Sequence, residues 1–282
     1  PYPYEERQKE WARFWLEDFK EIKFPSYAGA GAYRYPYPNL ESGEAEPVHV
    51  RFDIDSIIPV QPKISEKGCR EPISVTLDEL LAAAKEMAEI CPGDPCHMIL
   101  KTNILKQINA TSVNTCAELT IREVINIVGM VGSGKSTLIK VLAFWCHKNG
   151  YRITIVVDTV AEVLNLQKYL SVLGVATSPI IGRSERLKYI NQVAQPNETC
   201  LPTEFSQYLT PICLVDGMDT QHSAAIAFGK EPCYSLTKGS KNYLCPYFHQ
   251  CLGTRMLREC YTASVVITTV AGFAASRVGV LR

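Results

Sequence analysis

The chain has 282 residues, 46% of them hydrophobic, and its 29 lysines and arginines balance its 29 aspartates and glutamates. This composition allows one large core or two modest ones, and the balanced charge excludes a global field that would draw the molecule onto nucleic acid or membrane. The N-terminal sequence lacks a basic segment followed by an apolar one, and no run of about eighteen apolar residues follows it. We therefore expect a cytoplasmic protein without membrane contact, whose 11 cysteines stay reduced unless they bind metal.

Residues 1–119 predict a small α+β accessory region. Apolar residues at helical spacing in residues 4–22 indicate an amphipathic helix, whereas residues 24–47, rich in Pro, Gly and Tyr, predict an irregular connector. The alternating residues 48–54 predict a strand. Thr76, followed three residues later by Glu79, predicts a capping box for a helix through residue 90.

Residues 120–282 predict an α/β domain. Apolar strands at 121–129, 151–158 and 176–182 alternate with helices that Gly150 and Gly174 close. Strands and helices that alternate at this spacing indicate a parallel sheet covered on both faces.

The segment GMVGSGKS, residues 129–136, satisfies the phosphate-loop pattern G-x-x-x-x-G-K-[ST] and lies between a predicted strand and a predicted helix. Its glycines let successive backbone N–H groups turn toward a phosphate, and the helix N-terminus adds the positive end of its dipole. Lys135 is expected to contact the outer phosphates and Ser136 to bind Mg²⁺, with Thr137 as a supporting hydroxyl. The predicted ATP-binding or GTP-binding residues are Gly129, Val131, Gly132, Ser133, Gly134, Lys135, Ser136 and Thr137.

Nucleotide hydrolases of this class also need a carboxylate that holds Mg²⁺. Asp216 ends the apolar run PICLVD and is the candidate for that role. The alternative is a structural turn residue, because Pro211 and Gly217 leave a very short strand and no glutamate follows the aspartate.

Four cysteines, Cys233, Cys245, Cys251 and Cys260, stand close together at about residues 230–262. None of their intervals is the short C-x2-4-C knuckle of structural zinc, so the looser spacing favours a [4Fe-4S] cluster. Two alternatives stay open. One is a Zn²⁺ site with His249 as a further ligand, and the other is a set of unrelated buried thiols.

The same segment is basic and aromatic. Lys238, Lys241, Arg255 and Arg258 are interleaved with aromatic residues, a pattern typical of grooves that bind single-stranded nucleic acid. The alternative is that the aromatic rings pack around the cysteines and the cations are solvated.

Taken together, the order of these motifs resembles the first motor domain of the iron–sulfur superfamily 2 DNA helicases, the XPD/DinG-like group. VVDTVAEVLNLQKYL resembles the family's motif Ia, with Thr159 and Gln167 near its threonine and glutamine, although Asp158 replaces the usual proline. The four cysteines and ASVVITTV follow in the family's order.

The resemblance implies a RecA-like P-loop domain with an inserted four-cysteine metal domain, and an ATP-dependent 5′ to 3′ helicase that contacts DNA through Thr159 and Gln167. PICLVDG, PCYSL and CPYFHQC also resemble DinG-type helicases encoded beside prokaryotic Argonaute-like proteins, which implies protein partners in a bacterial defence complex.

The sequence departs from the family because its DEAH box is missing before Arg282. The chain alone is therefore expected to bind nucleotide, to hydrolyse it poorly and not to unwind DNA. Two other hypotheses remain. One is a P-loop ATPase with structural zinc that remodels or loads a protein complex, and the other is a nucleotide-controlled regulatory module.

Overall fold

The computed structural model describes residues 26–38, 45–53, 73–99, 118–121, 132–193, 207–210, 213, 215, 233 and 236–275. Its elements are β1 (Gly31–Pro38), β2 (Ala45–Phe52), β3 (Ile73–Thr76), α1 (Leu77–Ile90), α2 (Cys96–Ile99), β4 (Glu118–Ile121), α3 (Lys135–Lys148), β5 (Ile153–Val157), α4 (Val160–Val172), β6 (Thr177–Ile180), α5 (Arg183–Val193), β7 (Leu236–Lys238), β8 (Lys241–Tyr243), a 3-10 turn (Leu252–Thr254), α6 (Arg255–Cys260), β9 (Val265–Thr269) and α7 (Val270–Ala275).

These elements belong to two compact units. The first takes its described residues from within 1–62, 180–261 and 269–282, and the second takes them from within 63–179 and 262–268. Each unit thus uses residues from both sides of the predicted boundary at residue 120.

The second unit contains a parallel three-stranded sheet in the order β5–β9–β6. All five residues of β9 are buried, as expected of a central strand in a parallel sheet. Gly150 and Gly174 have φ values of 75° and 77°, in the left-handed region that favours glycine where a helix ends. The mixed α/β prediction is confirmed at this level, and the observed strands fall within the predicted ranges 151–158 and 176–182.

A smaller antiparallel pair, β3 and β4, also belongs to the second unit. Thr76 begins α1 with the predicted capping box: its hydroxyl accepts from Glu79 N at 3.3 Å, and its N–H donates to Glu79 Oε2 at 2.7 Å. Helix α1 packs against α3. Of the strand predicted at 121–129, only Ile121 is described, and it ends β4.

The first unit contains an antiparallel four-stranded sheet in the order β2–β1–β7–β8. The prediction of an irregular connector at 24–47 is wrong for β1 and for the start of β2. Tyr33 and Tyr35 alternate into the core, where Tyr35 is only 1% exposed, so burial of their rings outweighs the breaking tendency of the nearby prolines. Pro36 in β1 is paired with Pro47 in β2, so the two residues that lack an N–H donor stand opposite each other.

Candidate functional site

The described part of the phosphate loop contains two glycines in the left-handed region. Gly132 and Gly134 have φ values of 82° and 90°, which an L side chain rarely adopts. Helix α3 begins at Lys135, and its N-cap residue is Gly134, which has no side chain that could cap the helix. The N-terminal end of α3 therefore has no side-chain cap from this residue. Lys135 Nζ donates to Ser133 Oγ at 3.2 Å.

Only some of the other residues predicted to bind nucleotide are described by the structure. Ser136 is exposed and Thr137 is half-buried, both in the first turn of α3. Gly129 and Val131, like the candidate magnesium ligand Asp216, lie outside the described residues. Nucleotide and Mg²⁺ binding therefore stay predictions.

Four cysteines line one apolar pocket in the first unit, which we call the thiol pocket. Three of them, Cys233, Cys245 and Cys251, are predicted ligands, whereas Cys213 is not. Cys260, the fourth predicted ligand, is fully buried and is not part of the lining, and its Sγ donates to Leu257 O at 3.0 Å. The lining residues are Cys213, Val215, Cys233, Cys245, Tyr247, Phe248, Cys251 and Thr254.

Backbone hydrogen bonds fix three of these cysteines relative to one another. Cys245 N donates to Cys233 O at 3.0 Å, and this bond joins the two cysteines that flank the β7–β8 hairpin in the sequence. The chain then turns tightly, with Phe248 N bonded to Cys245 O at 3.0 Å and Cys251 N bonded to Tyr247 O at 2.8 Å. The segment CPYFHQC is therefore a compact loop that brings Cys245 and Cys251 to one wall of the pocket.

Burial disfavours the ionised form of one pocket thiol. It raises the pKa of Cys245 to about 12, although a backbone hydrogen bond from Tyr247 lowers it, and negative charge on Cys213 or Cys251 would raise it further. A metal bound by Cys245 has to displace this proton, since the thiolate is the metal ligand.

The donor type of the thiol pocket suits a soft metal or an iron–sulfur centre, since cysteine is the ligand of such centres and four cysteines line the pocket. In the described ranges, no group of three or more His, Cys, Asp or Glu side chains is close enough together to hold one metal ion. The choice between an iron–sulfur cluster and zinc therefore stays a prediction.

His249, named as a further zinc ligand, is not part of the pocket lining. Its ring makes an edge contact with Tyr27 at 6.1 Å, and its Nδ1 has no hydrogen-bond partner within the described parts of the chain.

The cations predicted to bind DNA divide into two classes. Lys238 and Lys241 are exposed at the β7–β8 turn, where Lys238 Nζ lies 5.5 Å from the centroid of the Tyr33 ring. Arg255 and Arg258 are instead used within the fold. Arg255 pairs with Glu259 at 2.6 Å, whereas Arg258 donates to carbonyl groups of the pocket loop. Their role as DNA contacts stays a prediction.

The predicted motif Ia residues have structural roles. Thr159 is the N-cap of α4, and its hydroxyl accepts from Glu162 N at 3.2 Å within a second capping box. Gln167 is 8% exposed and donates to Ser171 Oγ at 2.9 Å. Gln167 thus lies on the buried stripe of α4, and its role as a DNA contact stays a prediction.

No helix in the described ranges is long and apolar enough to cross a membrane. No protein-family model, no curated protein and no solved structure matches this chain. The helicase resemblance therefore rests on the motifs alone.

Proposed function

We propose that this chain is the nucleotide-binding part of an ATP-driven helicase or translocase that acts on single-stranded or forked DNA and holds a [4Fe-4S] cluster in the thiol pocket. The observation that carries the proposal is the convergence of four cysteines on one pocket, downstream of a glycine turn that leads into α3. A phosphate loop alone would fit many nucleotide-binding proteins.

Each set of residues has a distinct role in this proposal. Lys135 contacts the outer phosphates of ATP, and Ser136, with Thr137 behind it, supplies the hydroxyl for Mg²⁺. Cys213, Cys233, Cys245 and Cys251 would hold the cluster, which when bound would cross-link the parts of the chain between residues 213 and 251. Asp216 remains the candidate for the magnesium carboxylate.

Exposed cations in the first unit supply a contact for DNA. Lys238 and Lys241 lie at one end of the four-stranded sheet, and Arg51 lies near that end on β2. Arg34 is exposed on the face of the same sheet. Arg51 Nε lies 3.5 Å from Asp53 Oδ1, and both side chains are largely exposed. An exposed ion pair of this kind is weak, so the guanidinium of Arg51 is available to bind a phosphate.

Anaerobic purification followed by iron, sulfide and zinc analysis tests the metal, and titration with Mg²⁺-ATP and with a labelled single strand tests the two ligands. We expect about four iron atoms per chain. We also expect nucleotide binding that Lys135→Ala abolishes, and strand affinity that falls steeply as salt rises. A colourless protein without affinity for single strands would refute the proposal.

The second candidate is a P-loop ATPase with structural zinc that remodels or loads a protein complex. It gains support from Arg255 and Arg258, because two of the four predicted DNA cations are used inside the fold. Stoichiometric zinc, with nucleotide binding but no salt-dependent strand binding, would favour it. Partners in a cytoplasmic defence complex belong to the first proposal and rest on the motif resemblance.

A further inference from the structure

Arg258, on α6, holds the loop that carries two of the pocket cysteines. Its Nη1 donates to Cys251 O at 2.8 Å, to Thr254 Oγ1 at 2.7 Å and to Phe248 O at 2.5 Å. Thr254 is buried in the pocket wall, and its hydroxyl lies 2.6 Å from the same Phe248 carbonyl. One guanidinium nitrogen thus joins three groups of the thiol-pocket wall.

The charge of Arg258 lacks a carboxylate partner in the described part of the chain. No carboxylate there lies within 4.0 Å of its guanidinium, whereas Arg255, one turn earlier, pairs with Glu259 at 2.6 Å. The Arg258 side chain is half-buried. A half-buried cation without a close carboxylate is costly unless another anion compensates it.

We propose that Arg258 is the counter-cation and positioning residue of an anionic metal–thiolate centre in the thiol pocket. Four thiolates around a [4Fe-4S] core or a Zn²⁺ ion leave about two net negative charges, and these are the missing partner of the guanidinium. Hydrogen bonds and cations around a cluster stabilise its more negative state. The inference rests on the proposed function only in requiring that the pocket binds a metal centre.

Three variants of the full chain, purified anaerobically, separate charge from structure. Arg258→Gln removes the charge, Arg258→Lys keeps it, and Arg255→Gln removes a neighbouring cation that Glu259 already compensates. The readouts are the reduction potential of the cluster, followed by electron paramagnetic resonance, and the rate of iron or zinc transfer to a chelator. Thermal unfolding of the variants shows whether they remain folded.

We expect Arg258→Gln to shift the potential to more negative values and to release metal severalfold faster than the wild type. Arg258→Lys should restore most of the potential, and Arg255→Gln should leave it close to the wild-type value. If the centre is zinc, the chelator rates alone should follow the same order.

Equal effects of Arg258→Gln and Arg255→Gln, or no effect of either in a metal-loaded protein, would overturn this inference and leave the proposed function standing. A wild-type protein that binds no metal would overturn both.

Discussion

Replacing Thr159 by alanine removes the hydroxyl that caps α4 and tests whether this residue is structural, as its contacts indicate. The bond that disappears is the one from Glu162 N, 3.2 Å long, and Glu162 Oε2 would keep its bond with the N–H of residue 159. Loss of a threonine cap costs about 1 kcal/mol, which is close to a fivefold change in the unfolding equilibrium. In a chain of this size we expect the melting temperature to fall by about 2–4 °C, measured by circular dichroism.

A matched control exists because Thr76 caps α1 with the same type of box. Thr76→Ala should cause a loss of similar size without changing strand affinity. Thr159→Asp should retain the cap, because aspartate caps helices well and its charge suits the helix dipole. If Thr159 also faces a DNA backbone, as the motif Ia resemblance implies, Thr159→Asp should weaken strand binding in a fully stable protein. A Thr159→Ala protein as stable as the wild type, beside a destabilised Thr76→Ala protein, would refute the capping argument.

Three other predictions follow from the site and the caps. Cys213→Ser should lower the metal content measured by elemental analysis, whereas Cys260→Ser should leave it near the wild-type value; the reverse order would restore Cys260 as the ligand. Charge reversal of Lys238 and Lys241 should weaken single-strand binding and flatten its logarithmic salt dependence by about one unit for each phosphate that the protein no longer neutralises, and an unchanged slope would contradict their role. Hydrogen bonds from Thr76 lower the pKa of the Glu79 carboxylate. The capping box of α1 should therefore contribute stability above the ordinary glutamate pKa and lose it as the pH falls through the lowered value. Wild type and Glu79→Gln should converge in melting temperature at acidic pH, and a constant difference would contradict this.

Local chemistry predicted the α/β part of the chain well. The capping residues Thr76 and Thr159 and the closing glycines Gly150 and Gly174 act on their own helix ends, so short sequence windows contain the signal. The buried strand β9 lies within ASVVITTV, the segment that the family resemblance singled out.

Three features were not foreseen from the sequence. The strand β1 was missed although its main partner β2 follows it directly, because proline and glycine dominate the local pattern. Cys213 was not singled out, because spacing along the chain does not show which cysteines line one pocket. The burial of Gln167 was not foreseen, because a motif match does not show which face of α4 points inward.

The pairing of β1 with β7 has a consequence for how the molecule is made. Arg34 and Thr237 are partners in the sheet, although 203 positions separate them. During synthesis the β1–β2 hairpin therefore leaves the ribosome long before β7 and before most of the residues that pack around Tyr33 and Tyr35. At common translation rates this delay lasts roughly ten to forty seconds. The thiol pocket also forms only after this delay, because Cys245 and Cys251 follow β7 in the sequence.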